Sequence, residues 1–174
     1  MSNAVIFPAT LDRRGRIVTW LVGYGVGMGV PTVLAISLAI GFSEPRLLLF
    51  PIPFIAAFGL PAFLRPLGFA VDEREMRILR PLGPIRVPLS EIVEVRCPAS
   101  DPPGMTIGIL RVHGIHGTFG SFWNREWGRY RAYVTNPRNR VELRLRGGDR
   151  LIVSPDDPEG FTSALASDDK SFTE

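Results

Sequence analysis

Two kinds of hydrophobic pattern divide the chain. From Ile17 to Phe42, 26 residues pass without a charge, and from Leu47 to Leu64 a further 18 do so. About 20 helical residues cross the roughly 30 Å hydrocarbon core of a bilayer. Both stretches are therefore predicted as transmembrane helices. The linker Ser43-Glu44-Pro45-Arg46 has only four residues, which forces the two helices antiparallel, as a hairpin. The alternative, a helical hairpin buried in a soluble protein, would need more surrounding chain than remains, because a helix apolar on all sides must be covered on all sides.

Beyond Arg65 the period changes from continuous to alternating. Gly68 to Val71 and Met76 to Arg80 flank a polar turn, and Ile85 to Leu89 follows Pro81-Leu82-Gly83-Pro84. Val93, Val95 and Cys97 are expected on one face of the next strand. Thr106 to Val112 and Thr118 to Trp123 follow. Tyr130, Ala132 and Val134 alternate with Arg129, Arg131 and Tyr133, and are read as the inward set. Val141, Leu143 and Leu145 alternate with Glu142, Arg144 and Arg146, and Leu151 to Val153 closes the series. Alternation at about ten-residue spacing predicts an antiparallel barrel or sandwich of eight or nine strands. The segment Ser154-Pro155-Asp156-Asp157-Pro158-Glu159 carries helix-start chemistry: capping side chains, prolines suited to a first turn and acids at the positive helix end. Phe161, Ala164 and Leu165 then form a stripe able to dock on the sheets. The chain divides into a cytoplasmic tail (1–16), a two-helix transmembrane hairpin (17–64, with helices 17–42 and 47–64), a mainly-β domain (65–168) and a disordered tail (169–174).

Composition sharpens this division. The chain has 174 residues, room for one domain or for an anchor and a small domain. Of its 37 charged residues, 20 basic and 17 acidic, only Glu44 and Arg46 lie between Arg16 and Arg65. Arg13, Arg14 and Arg16 precede the first span, and Arg65, Arg74, Arg77 and Arg80 follow the second. Positive flanks stay on the cytoplasmic side. The expected location is the plasma (inner) membrane, crossed twice, with both termini cytoplasmic. The first apolar run exceeds the 7–15 residues of a signal-peptide core, so cleavage is not expected. Gly23, Gly25, Gly27 and Gly29 make two overlapping GxxxG spacings, a helix-packing face within the hairpin or between two copies. Neither span contains an ionisable residue, so the hairpin reads as an anchor rather than an ion path.

Gly117-Thr118-Phe119-Gly120-Ser121-Phe122, then Gly128 to Asn136, Val141-Glu142-Leu143 and Ser154 to Phe161 together resemble the bacterial PH-like (pleckstrin-homology-like) domain family. The resemblance covers roughly residues 65–166 and is most specific over the last 50. It implies a small antiparallel barrel capped by one C-terminal helix, often following a transmembrane hairpin, and a binding or assembly module. That family has no agreed catalytic residues or ligand to carry over.

Residues 120–150 hold eight arginines, Arg125, Arg129, Arg131, Arg138, Arg140, Arg144, Arg146 and Arg150, against Glu126, Glu142 and Asp149, a net charge of +5. The rest of the domain and tail is net −4, from eight basic and twelve acidic residues. Arginine grips phosphate with a two-donor fork, and tryptophan favours the membrane interface. Trp123, Arg125, Trp127, Arg129, Arg131, Arg138 and Arg140 are therefore the candidate binding residues. Trp123 to Gly128 is expected to be a hairpin tip resting on lipid headgroups or on an acidic partner beside them. The competing reading is a solvated strand face and ordinary core aromatics. His113 and His116 form only a weak metal pair, and Cys97 is expected as a buried structural thiol. With no phosphate loop, nucleophile elbow or paired carboxylates, the chain is read as non-enzymatic, without cofactor or metal. Expected partners are the membrane itself, a protein or a second copy of the chain, and anionic lipid. Nucleic acid is excluded by a net charge of only +3 and no matching motif. The rival readings are a structural subunit of a larger membrane complex and a lipid-modifying enzyme, which lacks a nucleophile.

Overall fold

A computed structural model of the chain describes residues 4–97, 99, 106–113 and 116–167; the loop at Asp101–Gly104 and the tail at 169–174 lie outside them. Two helices, Arg13–Phe42 and Pro45–Leu64, are long and apolar enough to cross a membrane. The first begins before the uncharged stretch because Asp12 caps it: its Oδ1 accepts the Gly15 N–H at 2.9 Å. It ends at Ser43, whose backbone is left-handed (φ 54°). Between Thr19 and Gly29 this helix widens into π geometry. The second helix opens with a 3₁₀ turn, Pro45–Leu49. The outward faces of both helices are apolar, with Leu21, Val33, Ile40, Ile52 and Leu60 all exposed.

Ten strands follow or precede this pair: β1 Val5–Pro8, β2 Gly68–Val71, β3 Glu75–Leu79, β4 Ile85–Pro88, β5 Ile92–Arg96, β6 Thr106–His113, β7 Thr118–Asn124, β8 Gly128–Val134, β9 Val141–Leu145 and β10 Arg150–Val153. They form two sheets rather than the closed barrel expected from the spacing. The first has the order β1-β2-β3-β4 and the second β5-β9-β10-β8-β7-β6. Described pairings are antiparallel except β10 with β8, which is parallel. The C-terminal helix, Pro158–Ser167, docks as its stripe predicts: Phe161 is fully buried and Leu165 nearly so.

The core lies between the sheets. Phe69, Val71, Met76, Ile78 and Val87 from the first sheet meet Phe119, Tyr133, Val141, Leu143, Leu151 and Val153 from the second, with Phe161 closing one side. Val141, Leu143 and Leu145 point inward, as expected. Two other alternation readings are corrected. On β8, Tyr133 joins this main core, whereas Tyr130, Ala132 and Val134 form a second cluster with Phe122 and Ile152. The second sheet is thus apolar on both faces, and alternation alone cannot say which face meets the other sheet. On β5 the register shifts between Ile92 and Glu94. That extra residue turns Val93 outward while Ile92 and Val95 pack on the core. Cys97, one residue past the end of β5, is exposed, not buried.

A further difference lies at the N-terminus. Residues expected as a tail include β1, which pairs antiparallel with β2 in the register Phe7↔Phe69. Phe7 is buried, edge-on to Phe161 with ring centroids 5.4 Å apart. The whole apolar helix pair is therefore an insertion between two hydrogen-bonded neighbour strands. Four residues with one apolar side chain turned inward carry too short a period to be seen in the sequence.

Candidate functional site

The β7–β8 hairpin separates the sequence-predicted site residues into two groups. At one end, Asn124 faces Gly128 and the turn Arg125-Glu126-Trp127 joins the strands. Gly128 has φ 67°, the left-handed residue that a three-residue hairpin loop needs. Trp123 stands opposite Arg129, so both lie on one sheet face. Trp123 is 43% exposed, and Arg125 and Arg129 are exposed too. Trp127 is held back: its ring meets Tyr130 edge-on at 5.6 Å, and the Arg150 guanidinium lies 4.6 Å over it. Arg131 is half-buried.

Arg138 and Arg140 follow the other end of β8, with Arg138 exposed and Arg140 half-buried. A seven-residue strand spans about 20 Å, so the structure does not gather the seven residues into one patch. Part of the arginine excess is also neutralised. Arg144 pairs with Glu94 at 3.0 Å, and Arg150 with buried Glu142 at 2.5 Å. The Glu94 carboxyl is held below its usual range, first by the hydrogen bond from Arg96 and also by Arg144. The four hairpin glycines likewise differ from one another. Gly23 and Gly27 are buried, Gly29 is half-buried and Gly25 is exposed. A Cβ on Gly27 would fall 2.7 Å from the Phe58 ring of the second helix.

The end of β7–β8 away from the turn is where the sheet meets the helix pair. The Asp12 N–H donates to the Thr135 carbonyl at 3.5 Å, and the Asp156 N–H to the Pro8 carbonyl at 2.8 Å. Thr10 donates to Asp156 Oδ1 from both its backbone N–H and its hydroxyl. His116 is buried here, 1% exposed. Its N–H donates to Thr19 Oγ1 at 2.9 Å, and its Nε2 lies 3.3 Å from the Tyr24 hydroxyl. Its backbone is left-handed at φ 63°, a conformation that costs a non-glycine residue about 1 kcal/mol or more. Nδ1 is buried without a partner. Burial, and then the positive charge of Arg65, push the His116 pKa below its ordinary value. Thr19 and Tyr24 both lie in the π stretch, five residues apart, which is the spacing of that helix's backbone bonds.

Beside these residues a cleft of about 660 Å³ is lined by Thr10, Arg16, Thr19, Trp20, Tyr24, Arg65, His116 and Thr135, among others. None of its lining residues is acidic, and no carboxylate pairs with Arg16 or Arg65 among the described residues. Sequence reading missed this site because its parts are scattered over more than 100 positions. The one local hint was His116, read there as half of a metal pair with His113. Among the described residues no group of three or more His, Cys, Asp or Glu side chains could hold a metal ion.

Comparison with known proteins agrees with the β region. A family model described as "Bacterial PH domain" matches residues 67–168. No curated protein matches the chain, and no solved structure does.

Proposed function

The chain belongs to the bacterial PH domain family, and from that premise we propose that it is a membrane-anchored, non-catalytic binding module of the cytoplasmic membrane face. Domains of this family are in general binding modules. One observation carries the membrane part of the reading: β1 and β2 are hydrogen-bonded neighbours, yet 59 residues containing both apolar helices lie between Pro8 and Gly68. A hairpin inserted between paired strands is held by both its ends. It fixes the orientation of the domain rather than tethering it loosely. Flanking arginines favour cytoplasmic termini, with helices 17–42 and 47–64 as the spans and residues 65–168 as the module. In this orientation the Arg125-Glu126-Trp127 turn points about 20 Å away from the membrane-proximal end. Trp123, Arg125 and Arg129 are then a contact surface for an acidic protein partner rather than for the headgroups beside the tether.

The single cysteine supplies the test. Cys97 is exposed. In intact cells it should resist a membrane-impermeant maleimide and react after permeabilisation, whereas Glu44→Cys in a Cys97→Ser background should react in intact cells. Labelling of Cys97 from outside would reverse the topology. A photocrosslinker replacing Trp123 should then join a partner whose yield falls about tenfold with Arg125→Ser and Arg129→Ser. Unchanged yield would remove the arginines from that contact.

A further inference from the structure

We propose that the cleft at the base of the hairpin binds one phosphate-bearing anion, supplied by the headgroup of an anionic membrane lipid, between Arg16 and Arg65. Four observations carry this. The two arginines belong to the two ends of the hairpin, one within the first helical turns and one directly after Leu64. In the folded chain both line the same cleft, where no acid offsets them. Two positive side chains lining one cleft with no acid among its residues favour an anion there. Guanidinium forks suit phosphate oxygens.

The lining also runs from charged to aromatic along the first helix: Arg16 comes first, then Thr19, Trp20 and Tyr24, in the direction of the apolar stretch. Trp20 is 68% exposed, and aromatic rings favour the membrane interface. At about 660 Å³ the space is within the range of small-molecule sites. Finally, the walls are pre-organised. His116, in its left-handed conformation, is pinned by Thr19 and Tyr24, so the first helix cannot shift against the sheet without breaking both contacts. Such fixed walls reduce the ordering cost of binding. Neighbouring carboxylates are already engaged: Asp12 caps its helix and Asp156 accepts from Thr10.

This inference rests on the membrane reading above, and its test keeps the two apart. Purified full-length protein in a neutral detergent would be titrated with dioctanoyl phosphatidylglycerol, dioctanoyl phosphatidylcholine and inorganic phosphate, by calorimetry and native mass spectrometry. One phosphatidylglycerol per chain should bind, at least tenfold more tightly than phosphatidylcholine. Arg16→Gln with Arg65→Gln should weaken it tenfold or more, and Arg65→Lys, which keeps the charge but not the fork, should weaken it less. Arg86→Ser with Arg146→Ser, both exposed and outside the cleft lining, should leave it unchanged. Equal binding of the two lipids, or full binding by the glutamine pair, would overturn the site. Displacement by inorganic phosphate at concentrations similar to the lipid would overturn the lipid and assign the cleft to a soluble phosphate ester. Should the glutamine pair not fold, Arg65→Lys decides alone: undiminished affinity sinks the fork. If Cys97 labelled from outside while phosphatidylglycerol still bound selectively, the topology would be at fault and not the cleft.

Discussion

The two ends of the β7–β8 hairpin carry residues of similar chemistry to different purposes. At the turn, Trp123, Arg125 and Arg129 stand exposed, and only Trp127 is tied down, by Tyr130 and Arg150. At the other end His116, Thr135 and Ser154 are buried and hydrogen-bonded within the fold, with only His116 Nδ1 left without a partner among them. Ser154 Oγ accepts the Thr135 N–H at 2.8 Å, and Thr19 Oγ1 accepts that of His116. A buried polar group must find a partner or lose its solvation, so the second end is rigid and joins the sheet to the helices. The first has no such demand and is free to meet another surface. Conspicuous residues therefore mark the end that contributes least to the fold.

The sharpest way to break this contrast is at the strand that ties the helices in. Phe7→Ala should cost about 3–5 kcal/mol, because the ring fills a core position against Phe161 and Phe69. The expected result is a large drop in melting temperature of the full chain in detergent. A loss under about 1 kcal/mol would mean that β1 is an ornament of the sheet and the hairpin a loose tether.

A smaller effect is expected from the junction. Thr19→Val leaves the buried His116 N–H without its acceptor and should cost about 1–3 kcal/mol. The same residue makes stability depend on pH. The folded-state pKa of His116 is lowered, so the folded form keeps the ring neutral while the unfolded chain takes up a proton near the ordinary value of about 6.5. Its contribution is complete above that value and is lost as pH falls toward the lowered folded pKa. Melting temperature should therefore fall on acidification below about pH 6.5, and His116→Asn should flatten that part of the profile. An unchanged profile would place the titration elsewhere.

The smallest effect belongs to the turn. Trp123→Ser, Arg125→Ser and Arg129→Ser together should shift stability by about 0.5 kcal/mol or less, as surface changes do. Trp127→Ala should cost more than all three, since it packs on Tyr130. The reverse order would make Trp123 structural and end its candidacy as a contact.

Much of the architecture was legible because its signals are local. Uncharged runs gave the two helices, the period of two gave most strands, and Phe161 with Leu165 gave the docking face of the last helix. Leu143 was correctly read as core because its neighbours on both sides alternate without interruption. Val93 was misread because a bulge adds one residue at that point of β5, and Cys97 because the strand ends at Arg96, before it. Tyr130 is buried as read, but Tyr133, grouped with the outward Arg129 and Arg131, is buried too, because β8 is apolar on both faces at once. β1 was missed because four residues show no measurable period.

The sequence by itself determined which segments are long and apolar enough to span a membrane, where most of the strands lie, and which arginines are in excess. Those properties depend on residues near one another in the chain, since hydropathy and alternation are read within one helix or strand. Only the tertiary structure decided that the helix pair is inserted between two paired strands, that the seven candidate residues fall at two ends of a sheet, and that Arg16, Arg65 and His116 share one cleft. These are contacts between residues up to 100 positions apart. They are set by which apolar faces close on one another, and no local pattern encodes that closure.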